Sequence, residues 1–275
     1  MSARAAAPTP SVGIFQGRLV PSATGELQCH PGDRWAEELA LAGAIGFGHV
    51  ELLMARRRTT ADPVWTAAGR VALRAAAAAA GVGLVSACCE EVLDRPLDVP
   101  GVAEELALAL APVAADLGLR IVVLPLFEAS APSGGPPDGL AAGIATVARA
   151  LAASGTALVL EVPLPADGSR ALLDAVGEPG VRLCYDLGNA TAGGLDPAVE
   201  IRALASLVGH VHAKDKDATG TNVEFGTGRV DFVAAADALA AIGYAGLVTI
   251  EATRGDDPVA TATRHRAFLL DLWRA

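Results

Sequence analysis

The sequence predicts a single closed (β/α)8 barrel, and three observations carry that prediction. Eight short apolar runs of strand length recur along the 275 residues. The gaps between them are long enough for helices, with apolar residues at three- and four-residue spacing. Those helices repeatedly run out at a glycine. Strand then helix, eight times, is the sequence form of a barrel whose usual length is about 250 residues. A doubly wound open sheet is the rival architecture. It would place G-x-G-x-x-G after its first strand, where this chain has "GIFQGRL".

The elements follow in order. "VGIF" (12–15) is the first strand, and its loop runs on to the helix "WAEELALAGAIG" (35–46). "HVELL" (49–53) and "GLVSACC" (83–89) are the second and third strands, followed by "GVAEELALALAPVAADLG" (101–118), which is amphipathic at helical spacing. "RIVVLPL" (120–126) is the fourth. The Pro/Gly-rich "ASAPSGGPPDG" (129–139) falls between this strand and its helix, so it reads as a long βα loop on the rim rather than a linker. "ALVLEV" (157–162), "VRLCYD" (181–186), "HVHA" (210–213) and "LVTIEA" (247–252) complete the eight, with the helix "DFVAAADALAAIG" (231–243) before the last. Gly46, Gly81, Gly118, Gly155 and Gly243 each stand where a helix-ending residue of positive φ is expected.

Composition narrows the function. With 52% hydrophobic and 19% charged residues the chain suits a globular domain, and no apolar run approaches the roughly 20 residues of a membrane helix. Residues 1–9 read as a disordered tail without the apolar core of a signal peptide, and 10–275 as one barrel domain. Four cysteines without a C-x-x-C pair suggest buried thiols in a reducing, cytoplasmic setting. A net charge of -10 argues against nucleic acid, and the basic cluster "ARRRTT" (55–60) is too small to reverse this.

In a barrel of this kind the reactive residues stand at the C-terminal ends of strands. Here the fifth run delivers Glu161, the sixth Asp186, the seventh His212 and the eighth Glu251. Carboxylates closing apolar strands need partners, and a divalent cation supplies one. Three carboxylates and an imidazole suit Mn²⁺, taken as the first candidate, or Mg²⁺, Co²⁺ or Zn²⁺. The seventh strand also opens "HVHAKDKD" (210–217), which holds the only two lysines of a chain with nineteen arginines. That bias points to a place for a compact ammonium at Lys214.

"GIFQGRL", "LEVP", "LCYDLGNA", "HVHAKDKD…GTNVEFGTGRVDF" and "TIEATRG" resemble, in order and over nearly the whole chain, the xylose-isomerase-like TIM barrels of sugar phosphate isomerases and epimerases. The resemblance implies that Glu161, Asp186, His212 and Glu251 hold one divalent cation. It also implies that Glu161 and Glu251 transfer protons through a metal-stabilised enediolate of a ketose or ketose phosphate. Where many members carry a histidine three residues after the sixth-strand aspartate, this chain has Asn189, which hydrogen-bonds but does not titrate. The endonuclease IV branch, with its additional histidines, does not match.

Arg18, Glu51, Asn189, Lys214 and Arg229 are the expected substrate contacts, with Glu90, Trp35 and Phe225 as softer candidates. Arg18 has an alternative as a salt bridge across the barrel mouth. The function expected is a metal-dependent sugar isomerase or epimerase acting on a small sugar or sugar phosphate. The alternatives are a keto-inositol dehydratase-type lyase, or a non-catalytic sugar-binding barrel with a structural metal. A homo-oligomer is left open.

Overall fold

A computed structural model describes residues 10–22, 25–132 and 138–273. The tail expected over residues 1–9 lies outside the described residues. Eight parallel strands close into a barrel: β1 (Ser11–Phe15), β2 (His49–Met54), β3 (Gly83–Cys89), β4 (Ile121–Pro125), β5 (Ala157–Glu161), β6 (Arg182–Asp186), β7 (Val208–Ala213) and β8 (Leu247–Ile250). Each strand pairs with its neighbours in sequence, and β1 closes on β8 with Ile14 opposite Ile250.

The outer layer comprises α1 (Trp35–Ile45), α2 (Ala67–Ala80), α3 (Val102–Leu117), α4 (Asp138–Ala152), α5 (Ala166–Val176), α6 (Pro197–Leu204), α7 (Phe232–Ala241) and α8 (Pro258–Leu272). All five glycines expected to follow helices have positive φ. Among the described residues of this outer layer, α6, α7 and α8 start on an aspartate whose side chain accepts backbone N–H bonds, Asp196, Asp231 and Asp257. Each such cap is worth about 1 kcal/mol.

The apolar residues form two bodies. The larger lies between strands and helices, and the smaller fills the barrel with Phe15, Leu53, Cys88, Ile121, Val123, Val159, Cys184 and Leu247. Strand alternation explains the second set, because residues two apart share the inward face. The same alternation turns His49, Glu51, His210, His212 and Thr249 inward, where all five are buried. Gly13 on β1 has no side chain because the His49 ring fills the space a Cβ would take.

Candidate active site

β5, β6, β7 and β8 deliver Glu161, Asp186, His212 and Glu251 to one point at the C-terminal rim. All four are buried, and one ligand atom from each lies within 4.8 Å of the others. Asp186 serves two structures at once. Its Oδ1 accepts the Asn189 backbone N–H at 2.6 Å and so caps the short helix Leu187–Ala192, while its Oδ2 stands in the cluster, 2.9 Å from Lys214 Nζ.

His212 is oriented from below. Its Nε2 lies 2.8 Å from Glu51 Oε1, and Glu51 Oε2 is bonded by His210 Nε2 at 2.6 Å and the Thr249 hydroxyl at 3.1 Å. A carboxylate accepts, so Nε2 carries the proton and Nδ1 is left as the donor atom. His212 Nδ1 makes no hydrogen bond and lies 3.0 Å from Glu251, 3.5 Å from Glu161 and 3.9 Å from Asp186.

These observations fit a divalent cation. A buried imidazole nitrogen without a hydrogen bond and a buried Asp186 oxygen beside the Lys214 ammonium converge with two further carboxylates. The donor set is three oxygens and one nitrogen. A second group, Cys184, His210 and His212, also brings ligand atoms together. It shares His212, and the Nε2 atoms of both its histidines are engaged by Glu51.

Lys214 follows β7, and its buried Nζ lies 2.9 Å from Asp186 Oδ2 and 3.0 Å from Glu251 Oε2. Burial opposes its charge, but these carboxylates outweigh burial and raise its pKa. Burial would likewise raise Glu251; Lys214, His212 and Arg18 outweigh it and hold that carboxyl well below the usual range. Asp186 goes the other way: burial, with Glu161 and Glu251 adding to it against Lys214, pushes it up to about 6. Burial also opposes charge on His212, yet its contacts with Cys184, Glu51 and Glu161 raise its pKa.

Residues 39–272 match the model of the family described as xylose isomerase-like TIM barrel. The chain belongs to that family. Among known proteins this xylose isomerase-like barrel is similar to the L-ribulose-5-phosphate 3-epimerase UlaE of Salmonella paratyphi A, at 28% identity over 271 residues, 92% of this chain and 94% of that protein. A solved L-ribulose 3-epimerase superposes with TM-score 0.77 and 23% identity, over 97% of this chain and 95% of the other. A xylose isomerase-like TIM barrel protein from Mycobacterium smegmatis, solved in complex with magnesium, superposes with TM-score 0.72 and 19% identity, over 98% of each chain. The solved structures, at these identities, show the shared fold.

The expected substrate contacts separate. Asn189 and Lys214 line the cavity in front of the cluster. Asn189 Nδ2 donates to Glu161 Oε1 at 2.8 Å, so the amide steadies a carboxylate. Glu51 is not positioned to touch substrate: it is sealed beneath the rim with both oxygens occupied by histidines. Arg18 is also buried. It donates to the Leu27 carbonyl at 2.5 Å and to Gln28, and lies 3.6 Å from Glu251, which is the salt bridge across the mouth.

Arg229 is exposed and lines neither space that opens from the cluster. The turn that carries it is pinned, because Asp215 accepts the backbone N–H groups of Gly226, Gly228 and Val230. Phe225 packs in the core against Phe232, His265 and Phe268, and Trp35 packs against the main core. Glu90 lines the cavity. Sequence reasoning missed Gln28, whose Nε2 donates to Glu251 Oε1 at 3.1 Å. It sits in the long loop after β1, with no periodicity to mark it.

Among the described residues no helix is long and apolar enough to cross a membrane.

Proposed function

We propose that this protein is a sugar isomerase of the epimerase type, dependent on one divalent cation, with Glu161 and Glu251 as its proton-transferring pair. One observation carries the reading. These two carboxylates come from strands three places apart on the ring, yet both line the same cavity of about 160 Å³ in front of the cluster. The relatives, named as sugar 3-epimerases, support the same class of reaction.

Glu161, Asp186, His212 and Glu251 would hold the cation. When bound, it polarises the substrate carbonyl and stabilises the negative charge left by removal of the neighbouring proton, an effect of several kcal/mol. The chain's own residues do the rest. Glu161, steadied by Asn189, takes the proton from one face of the carbon and later releases it to solvent, while Glu251, after picking up a solvent proton, delivers that proton to the opposite face, which inverts the carbon. Each transfer contributes about 10² to 10⁴-fold. The Lys214 ammonium, already beside Asp186 and Glu251, offers charge to a substrate oxygen. The four cysteines, none of them in a disulfide, support a reducing, cytoplasmic setting.

Solvent exchange tests the reading. The Mn²⁺-supplemented protein is incubated with ketoses in D₂O, and deuterium is expected at C3 for an epimerase or C1 for an isomerase. The exchange should be lost in Glu161→Gln and Glu251→Gln. Loss of water from an inosose, without exchange into any ketose, would assign a lyase instead. Sugar binding without exchange or elimination would assign a binding barrel.

A further inference from the structure

We infer that the site takes an uncharged ketose and not a phosphate ester, an inference that rests on the epimerase reading. Two spaces open from the ligand cluster, and neither lining offers a free cation. The cavity of about 160 Å³ carries Glu90, Glu128, Glu161 and Glu251 against a single ammonium, Lys214. That ammonium is buried and already paired with two ligand carboxylates. Arg18, behind the same wall, is spent on Glu251, Gln28 and the Leu27 carbonyl.

The second space, about 190 Å³, is reached past Phe127, Glu161 and Asn189, which line both. Its walls are mostly apolar, including Val162, Leu164, Leu183 and Leu195, and Glu161 and Asp186 are its only charged lining residues. The Tyr185 hydroxyl in its lining is buried without a hydrogen-bond partner. It would serve a neutral hydroxyl better than a dianion. Residues 133–137 of the rim loop, Ser-Gly-Gly-Pro-Pro in sequence, add no cation.

Arg56, which reaches the lining residue Glu128, is engaged there. Arg56 donates to Asp94 and, through both Nη atoms, to Glu128. A separate cleft contains Arg34 and Arg254, but Arg254 donates to the carbonyls of Gly17, Glu26 and Leu27 and Arg34 pairs with Glu37. Glu128 is moreover held at positive φ, 51°, a conformation disfavoured for a residue with a side chain.

The charge balance decides the class of substrate. A bound divalent cation would offset the ligand carboxylates, leaving in the lining Glu90 and a Glu128 already neutralised by Arg56, with no cation to spare for a phosphate. A phosphate ester brings about -1.5 to -2 charges at neutral pH. It would meet like charge or an apolar wall, and both count against binding. A polyol meets acceptors instead, because its hydroxyls donate to carboxylates such as Glu90.

Matched sugars test this. The Mn²⁺-loaded protein is assayed for turnover and titrated calorimetrically with L-ribulose against L-ribulose 5-phosphate, and with D-fructose against D-fructose 6-phosphate. The uncharged member of the better pair should bind and turn over about tenfold or more better, and Glu128→Lys should narrow that gap by about tenfold. Preference for a phosphate ester overturns the inference and leaves the epimerase reading standing. Tighter binding of the uncharged sugar with no exchange in D₂O overturns the epimerase reading alone. Binding of none of the four overturns both.

Discussion

His212 Nε2 and Glu51 Oε1 stand 2.8 Å apart in the barrel interior, both sealed from solvent, although 161 residues separate them in the chain. The contact sets the imidazole tautomer and aims Nδ1 at the carboxylates of Glu161, Asp186 and Glu251. Glu51→Gln replaces one acceptor oxygen with a donor and loosens that aim. Mn²⁺ affinity is expected to fall by about 10- to 100-fold. Calorimetric titration reads this directly, and unchanged affinity would mean that Glu51 serves packing only.

Lys214 is a buried counter-ion to Asp186 and Glu251, two of the four proposed ligands. Lys214→Met leaves their carboxylates crowded without it and should destabilise the metal-free protein by about 3–5 kcal/mol. The rise in melting temperature on adding Mn²⁺ should then exceed that of the wild type. Lys214→Arg should cost turnover about tenfold or more, because a planar guanidinium cannot take the position of the compact ammonium. Thermal melts with and without metal, together with steady-state kinetics, separate these effects.

Gly188, in "DLGN", is a steric requirement of the same lysine. A Cβ there would collide with Lys214 Cγ and stand 2.9 Å from the Lys214 carbonyl oxygen. Gly188→Ala is expected to displace the ammonium and lower turnover by about 10-fold or more while all four ligands remain, at a stability cost of about 1–3 kcal/mol. Wild-type turnover in this variant would show that the loop yields freely.

Metal affinity should depend on pH with a definite sign. Asp186 takes its proton at about pH 6 because burial and neighbouring carboxylates disfavour its charge. Below that pH a cation must displace this proton, so affinity falls as pH drops, by up to about tenfold per unit for this group. His212, raised by its acidic surroundings, must also lose a proton, so affinity continues to rise above neutrality. Mn²⁺ titrations between pH 5 and 8, with proton release measured in weak buffer, check both parts. A flat dependence would contradict them.

Much of the site was legible because its residues obey local rules. Glu161 and Asp186 end their strands, while His212 and Glu251 stand at the same rim on β7 and just after β8. The inward alternation His210, His212, Lys214 follows from a strand period of two. Asp186 and Asn189 were read separately. The structure joins them through a helix cap, an arrangement that D-x-x-N is suited to form. The placement of Arg229 was not legible, because it depends on Asp215, eleven and thirteen residues from the two glycines before it, which fastens that turn.

The sequence by itself determined the eight-fold strand and helix alternation, the glycine helix ends and four converging ligand candidates, since each rests on periodicity or position within one element. Only the tertiary structure decided which buried groups meet. Barrel closure sets Glu51 of β2 under His212 of β7, carries Gln28 and Arg18 of the first loop onto Glu251 after β8, and leaves Arg229 outside. The physical reason is that a buried carboxylate must find a partner across the closed ring. That partner is fixed by strand register and loop path, which no local pattern of residues records.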